Sequence, residues 1–186
     1  MQIYQFGLRR ALAVAATGAF LAGLGLLSGG TAQGVGGLCN GRSATRPWLD
    51  ASAQPGPALI DGTKGNDVII GSEGDDTIDG RGGNDTMCGG PGNDSISVGP
   101  GGNSVVRGDS GDDDLSADNV RGVTISGDVG NDTIEVGNTE ATSYLVGGTG
   151  DDVIIHDGSG PVKIDGGPGF DDCLSRAGDE VVHCEE

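Results

Sequence analysis

The chain has 186 residues, of which 39 are glycine and only six are aromatic, and its formal net charge is −18. So few bulky side chains exclude an ordinary globular core, and the lack of glycine at every third position excludes a collagen helix. The negative charge argues against nucleic acid or an anionic membrane as a partner. The glycines recur at regular intervals instead, which indicates a repeat built largely of turns.

Residues 1–32 predict a secretory signal peptide. Arg9 and Arg10 form a basic start, residues 11–27 are apolar and uncharged, and small residues precede a cleavage point after Ala32. A membrane anchor is the alternative, but the apolar run is somewhat shorter than the ~20 residues of a membrane span. We therefore expect the mature chain to be secreted to the extracellular space and to have no contact with the membrane.

Residues 62–97 consist of four consecutive nonapeptides, GTKGNDVII, GSEGDDTID, GRGGNDTMC and GGPGNDSIS. Each has Gly at positions 1 and 4, Asn or Asp at position 5, Asp at position 6, and Ile or Met at position 8. Gly, Asn and Asp accept left-handed backbone conformations, so positions 1–6 predict a tight turn. Positions 7–9 predict a short strand whose position 8 points inward. Strands this short are stable only when stacked on copies of themselves, as in a solenoid.

Beyond residue 97, complete GxxGxD turns recur only every 19 or 20 residues, at 108–113, 127–132, 147–152 and 166–171. The segments between these turns have lost the GxxGxD pattern; they are residues 99–107, 117–126, 136–146 and 156–165. In the first of these segments, Ser104 replaces the Asp. Each keeps an inward apolar residue, namely Val106, Ile125, Leu145 and Ile164. Decay without structural order is the alternative, and the persistent apolar residue favours a continuing coil.

The nonapeptides resemble the RTX, or hemolysin-type, repeat G-G-x-G-x-D-x-U-x, in which U is a large apolar residue. The resemblance implies an all-β fold, a right-handed parallel β-roll over residues 62–174, with several Ca²⁺ ions between stacked turns. Calcium takes six to eight oxygen ligands in flexible geometry, and carboxylates and turn carbonyls supply such oxygens. The implied carboxylate ligands are Asp67, Asp76, Asp85, Asp94, Asp113, Asp132, Asp152 and Asp171. The implied backbone ligands come from turns containing Gly62, Gly65, Gly71, Gly74, Gly80, Gly83, Gly89, Gly92, Gly108, Gly111, Gly127, Gly130, Gly147, Gly150, Gly166 and Gly169.

The spacing of the turns predicts a roll with two unlike edges. Edge A consists of the complete turns that start at residues 71, 89, 108, 127, 147 and 166. Edge B consists of the turns that start at 62 and 80, followed by the four segments that have lost the turn. We therefore expect calcium along the whole of edge A but only near the N-terminal end of edge B.

Four cysteines lie outside the signal peptide, and an even number in a secreted chain indicates disulfides. Cys39 precedes the repeats, and Cys88 occupies an outward position 9, from which it can reach a capping segment. Cys173 and Cys184 flank the acidic tail. Sequential pairing, Cys39 with Cys88 and Cys173 with Cys184, would attach a cap to each end of the roll. The two other pairings remain open. Without a CxxC pair, and with only two histidines, a zinc site is disfavoured.

Two end segments are assigned as caps, residues 33–61 and 175–186. Their sequences around residues 39–45 and 171–186 also resemble those of secreted actinobacterial RTX-repeat proteins. Within that group, residues 46–58 look like an insertion, which reads as an ordered loop or a linker.

No catalytic motif is present, and His156 and His183 are predicted to be solvated surface residues. We therefore expect a calcium-binding protein rather than an enzyme. One alternative is an extracellular carbohydrate- or surface-binding module, although rows of outward aromatic residues are absent. Another is a calcium-stabilised accessory of a secreted enzyme. The sequence identifies no protein or carbohydrate partner.

Overall fold

A computed structural model of the chain describes residues 38–46 and 49–185. The predicted signal peptide and the pair Pro47–Trp48 lie outside these residues. The described chain consists of β-strands, turns and loops. No helix within it is long and apolar enough to cross a membrane.

Two seven-stranded parallel sheets form the body of the structure. Sheet 1 contains β4 (Val68–Ile70), β6 (Thr86–Pro91), β8 (Asn103–Ser110), β10 (Gly122–Val129), β12 (Ser143–Thr149), β14 (Val162–Asp165) and β16 (Glu180–Val182). Sheet 2 contains β3 (Leu59–Asp61), β5 (Thr77–Asp79), β7 (Ser95–Val98), β9 (Asp114–Ala117), β11 (Thr133–Val136), β13 (Val153–His156) and β15 (Asp172–Leu174). The chain alternates between the sheets, so each pair of strands is one coil. The predicted all-β parallel solenoid is confirmed.

The core of the solenoid is two side chains wide. Each strand contributes one central inward residue, and the parallel register stacks these residues into two columns. The column of sheet 1 is Ile69, Met87, Val106, Ile125, Leu145, Ile164 and Val181. The column of sheet 2 is Ile60, Ile78, Ile96, Leu115, Ile134, Ile154 and Cys173. All but the last residue of each column are buried, as the period of the repeats predicts.

The coils differ in length only at edge B. Across edge A, nine positions separate the inward residue of sheet 1 from that of sheet 2 in every coil, from Ile69–Ile78 to Ile164–Cys173. Across edge B, the separation ranges from eight positions, Cys173 to Val181, to eleven, Ile134 to Leu145. The turns of edge A therefore keep one geometry along the whole roll.

A further column of buried side chains fills edge B of the later coils. It consists of the last residues of β7, β9, β11 and β13, which are Val98, Ala117, Val136 and His156. The prediction of a solvated His156 is therefore wrong, because the register places this residue directly above Val136 in the core. Its Nδ1 lies 2.8 Å from Oδ2 of Asp179. His183 is exposed, as predicted.

The N-terminal cap folds against the first coils. Strands β1 (Leu38–Cys39) and β2 (Arg42–Ser43) form an antiparallel pair, and a disulfide joins Cys39 to Cys88 with a Cα–Cα distance of 5.7 Å. Cys39 and Cys88 cover Val68 and Ile70 on the outer face of sheet 1. Residues 49–58, the greater part of the apparent insertion, form an ordered loop, since Ala51 donates its N–H to the Ile70 carbonyl and Leu49 is fully buried in the main core.

The C-terminal cap closes the other end of the core. A second disulfide joins Cys173, at the inward position of β15, to Cys184, with a Cα–Cα distance of 5.8 Å. Both cysteines pack against the core. The sequential pairing is thus confirmed. Strands β3 and β16 flank the range 62–174 assigned to the roll, so each cap also contributes one strand to a sheet.

Replacement of both Cys39 and Cys88 by Ser is expected to lower the free energy of unfolding by about 4 kcal/mol, because the bond constrains a long loop of the unfolded chain. Urea denaturation of the calcium-saturated protein measures this loss, and peptide mapping without reduction checks the pairing. An unchanged free energy of unfolding, or peptides that join Cys39 to Cys173, would contradict the role of this bond as an end staple.

Candidate metal centre

The position-6 aspartates of edge A form a continuous buried ladder. The backbone N–H of each Asp donates a hydrogen bond to Oδ1 of the Asp one coil further on, over 2.7–3.0 Å. The ladder consists of Asp76, Asp94, Asp113, Asp132, Asp152 and Asp171, all at most 2% exposed. The structure therefore brings together along one edge the residues that the repeat spacing assigned to it.

Most of the position-6 carboxylates on the two edges, five on edge A and one on edge B, keep one buried oxygen without a hydrogen-bond donor. Oδ2 lacks a partner in Asp85, Asp94, Asp113, Asp132, Asp152 and Asp171. Burying a carboxylate oxygen without a partner is costly, so native structures rarely keep one without a reason. Six such atoms at equivalent positions indicate that the turns are built for a ligand.

Asp67 and Asp76, in the first turn of each edge, differ from the other six. Oδ2 of Asp67 accepts hydrogen bonds from the N–H and hydroxyl of Thr63. The N–H of Ser72 likewise donates to Oδ2 of Asp76, and its hydroxyl donates to Oδ1. These two carboxylates are therefore satisfied within their own turns.

The backbone at position 2 of the turn explains this difference. In the six turns with an unpartnered Oδ2, the position-2 residue is left-handed. These residues are Arg81 (φ 67°), Gly90 (109°), Asp109 (77°), Asp128 (76°), Gly148 (123°) and Gly167 (102°). Thr63 and Ser72 do not have positive φ, and their N–H groups point to the carboxylate. Left-handed backbone is unfavourable for Asp and Arg, so it marks a conformation that the surrounding turn imposes.

The space beside each position-1 glycine of edge A is bounded by two oxygen atoms. A Cβ built on Gly108 would lie 2.7 Å from the carbonyl oxygen of Gly127 and would collide with Oδ2 of Asp113. A Cβ on Gly127 would meet the Gly147 carbonyl and Oδ2 of Asp132 in the same way. A carboxylate of one turn and a carbonyl of the next thus face a common space, which is the oxygen environment that a hard cation requires.

Side chains alone would not make a complete metal site here. Among residues 38–46 and 49–185, no group of three or more His, Cys, Asp or Glu side chains is arranged to hold a metal ion. One Asp per turn and the neighbouring backbone carbonyls would have to supply the ligands together. This division agrees with the ligand set that the repeat resemblance implies.

Burial and mutual repulsion oppose ionisation of the ladder when no cation is bound. Burial raises the pKa of Asp85, Asp94 and Asp132 to about 6, and the charges of neighbouring carboxylates add to the effect. Burial also raises the pKa of Asp113 to about 7, with the charges of Asp132 and Asp94 adding to it. A cation between the turns would reverse this balance.

Edge B begins as a similar ladder and then loses its charge. The N–H of Asp67 donates to Oδ1 of Asp85, whose own N–H donates to the Ser104 hydroxyl. Further along, the N–H of Val123 donates to the Ser143 hydroxyl. A neutral hydroxyl thus takes the place of the carboxylate in two of the four segments that have lost the turn, at Ser104 and Ser143. Val123 and Val162 occupy the same register position in the other two segments.

A tethered cation neutralises the first carboxylate of edge B. Nη1 of Arg46 lies 2.8 Å from Oδ1 of Asp67, and Thr45 also donates a hydrogen bond to that oxygen. Burial acts to raise the pKa of Asp67, but the hydrogen bonds from Thr63 and Thr45 and the Arg46 charge together lower it below its usual value. Sequence analysis missed Arg46 because it lies in the apparent insertion, outside the repeat period.

The eight predicted aspartates therefore lie on the two edges in the predicted distribution, six on edge A and two on edge B. Their role as calcium ligands remains a prediction. Sequence analysis also missed the buried pair of His156 and Asp179, as well as a contact of Glu185 with the last rung of the ladder. Alignment of residue 156 with Val98, Ala117 and Val136 was the signal that could have identified the first.

The fold and the turns define a class, the parallel β-solenoids whose Gly-Asp turns stack along an edge. A sequence profile of the RTX calcium-binding nonapeptide repeat matches four segments of the chain, residues 61–96, 98–120, 123–138 and 143–155. The chain is an RTX-type repeat protein, and its repeats form a calcium-binding β-roll. No curated protein and no solved structure matched the chain.

Replacement of Asp113 by Ala is expected to raise the calcium concentration at half-saturation by roughly tenfold or more, because even supporting partners of a metal site cost about 10–100-fold. The thermal midpoint should fall as well. Asp118 is the matched control, since it is an exposed Asp in a segment of edge B that has lost the turn. Calcium titration and thermal melts compare the two Ala variants. Similar losses would contradict an edge-specific ladder.

The raised pKa values predict that, without metal, acid stabilises the folded roll relative to the unfolded chain. A carboxyl whose pKa is raised on folding stabilises the folded state fully below its ordinary pKa of 3.8, and that contribution is lost as the pH rises through about 6–7. In chelator, the β-sheet signal in circular dichroism should therefore increase as the pH falls from 8 to 5. Calcium affinity should fall over the same range, because protons compete for the same oxygens. A metal-free signal that decreases on acidification would contradict the assignment.

Proposed function

We propose that this chain is a secreted calcium-binding protein whose roll folds around several Ca²⁺ ions held between stacked turns. The observation that carries the proposal is the row of buried Oδ2 atoms without donors, five of them on edge A. Each edge A turn also has the carbonyl of the following turn beside its first glycine. We assign the chain a binding function and no catalytic step.

The donor set favours calcium over other cations. The available ligands are carboxylate and carbonyl oxygens, and calcium takes six to eight of them at 2.3–2.6 Å in variable geometry. Magnesium requires a stricter octahedron and retains water, while zinc prefers nitrogen and sulfur ligands. All four cysteines are in disulfides, and Nδ1 of His156 and of His183 lie 2.8 and 2.7 Å from carboxylate oxygens of Asp179 and Asp165. The described residues therefore offer no group of nitrogen and sulfur ligands for a softer metal.

The proposed ions lie in the intervals between successive turns of edge A, and each interval would draw on the aspartates of both flanking turns. On edge B we propose calcium only between the turns that start at residues 62 and 80. Beyond them, Ser104 and Ser143 replace the carboxylates, and the buried column of Val98, Ala117 and Val136 supplies packing in place of charge neutralisation.

Secretion fits the chemistry of the chain. Two disulfides near the ends of the roll suit an oxidising compartment. Extracellular calcium-binding modules commonly operate with dissociation constants of about 10⁻⁴–10⁻³ M, so such a roll would remain unloaded in the cell and load after export. The predicted signal peptide provides the route, and the mature chain would fold where calcium is abundant.

Calcium is expected to drive folding of the purified protein. The core is only two side chains wide, and little apolar burial is available to offset repulsion along the ladder. A ligand that binds only the folded state adds its binding free energy to stability. At pH 7.5 the far-ultraviolet circular dichroism spectrum should be that of a disordered chain in chelator and β-rich in excess calcium.

Magnesium chloride at equal concentration is the control for general screening of charge, and it should not restore the β-rich spectrum. Identical spectra in chelator and in calcium would contradict the proposed function.

A further inference from the structure

Residues 172–186, which come after the sixth turn of edge A (residues 166–171), contain no further GxxGxD turn. Oδ2 of Asp171 is nevertheless buried and without a hydrogen-bond donor, and the residue is 1% exposed. In the four preceding turns, which contain Asp94, Asp113, Asp132 and Asp152, the same oxygen is unpartnered, and it lies with a carbonyl of the next coil beside the first glycine of the turn. Here it faces the C-terminal tail, which the repeat pattern does not include.

The tail continues the hydrogen bonding of the ladder. Asp152 donates its N–H to Oδ1 of Asp171, and Asp171 in turn donates its N–H to Oε2 of Glu185 over 2.6 Å. A Glu carboxylate thus occupies the place that the next Asp would have. The side chain of Glu is one methylene longer than that of Asp, so it can reach this place from a turn with fewer residues.

The backbone of the tail follows the repeat as well. The N–H of Gly166 bonds to the carbonyl of Val182, as the N–H of Gly71 bonds to that of Cys88. His183 therefore corresponds by its hydrogen-bonding position to the first glycine of a following turn. Its backbone differs from that of the position-1 glycines, because His183 has a left-handed φ of 51° and none of those glycines has a positive φ. Its carbonyl oxygen lies where a Cβ on Gly166 would collide with it, and that same Cβ would lie 2.6 Å from Oδ2 of Asp171.

We propose that residues 183–185 form a truncated seventh turn of edge A, and that a calcium ion binds between this turn and residues 166–171. Its ligands from the chain would be Oδ2 of Asp171, the carbonyl of His183 and the carboxylate of Glu185. The inference rests on the proposed function, and it adds a site that the GxxGxD pattern does not contain.

The Cys173–Cys184 disulfide has a specific role in the proposed site. Cys184 lies between the two proposed tail ligands, and it is bonded to Cys173, two residues after Asp171. The bond holds the truncated turn against the last coil, a task that a full nonapeptide performs through its own strand pairing. Reduction of this disulfide is therefore expected to release the ion at the end of the ladder and leave the other ions in place.

Replacement of Glu185 by Gln tests the site. Gln keeps the length of the side chain and an oxygen that accepts the N–H of Asp171, so the tail can stay in position while a charged ligand is lost. Native mass spectrometry of the calcium-loaded protein counts the bound ions. We expect the Glu185→Gln variant to bind one ion fewer than the unaltered protein, and a Cys173→Ser, Cys184→Ser double variant to lose the same ion.

Glu180→Gln is the matched control, because Glu180 lies in the same tail but is exposed and paired with Lys163 on sheet 1. This variant should keep the full count of ions. A full count in Glu185→Gln, or an equal loss in Glu180→Gln, would overturn the seventh turn while leaving the proposed function intact. If the unaltered protein binds no calcium, the proposed function fails first.

Discussion

Repulsion between stacked carboxylates is the constraint on which this structure depends. Parallel strands lie about 4.8 Å apart, so one Asp per coil places a buried negative group on every rung. In five of the six rungs of edge A, a backbone hydrogen bond satisfies one carboxylate oxygen and the other oxygen is buried without a partner. Without a cation the ladder must take up protons or separate. Glycine at position 1 and left-handed backbone at position 2 keep the space between turns open for that cation.

Outside the repeating turns of edge A, other features of the molecule remove or balance buried negative charge. On edge B, hydroxyls replace carboxylates and a column of apolar side chains completes the coil. At the N-terminal end, Arg46 supplies a fixed positive charge to Asp67. In the buried pair near the C-terminal end, Asp179 accepts hydrogen bonds from the Nδ1 side of His156 and from the backbone N–H of Arg176. Burial opposes ionisation of Asp179, but these hydrogen bonds hold its pKa below the usual value. Each of these features removes or balances a buried charge, because a core only two side chains wide buries too little apolar surface to offset its cost.

The repeat period predicted the inward columns, and together with the resemblance to the RTX repeat it predicted both sheets and the two edges, because each depends on a spacing that recurs. The positions of the cysteines at the ends of the repeats favoured the sequential pairing without excluding the other two, and the structure shows the sequential one. What could not be predicted lies outside the period. Arg46 reaches Asp67 from an apparent insertion, and His156 is buried because its strand is one residue longer than a nonapeptide allows. Sequence analysis also did not separate Asp67 and Asp76 from the other six aspartates, since whether Thr63 or Ser72 donates to its carboxylate depends on a backbone angle rather than on residue type.

Changes in coil length are confined to edge B. Edge A therefore has a constant spacing in every coil, whereas edge B accepts insertions and deletions. Nine positions separate the inward residues of the two sheets across edge A in every coil, and this constant spacing stacks the aspartates in register. A single residue inserted there would displace one aspartate from its neighbours in the ladder. Across edge B the chain already accepts between eight and eleven positions while both sheets remain in register. New loops can therefore be grafted or acquired at edge B without disturbing the metal-facing edge. Sequence diversity among relatives of this roll should accumulate on that side, where a surface for recognition could evolve independently of the fold.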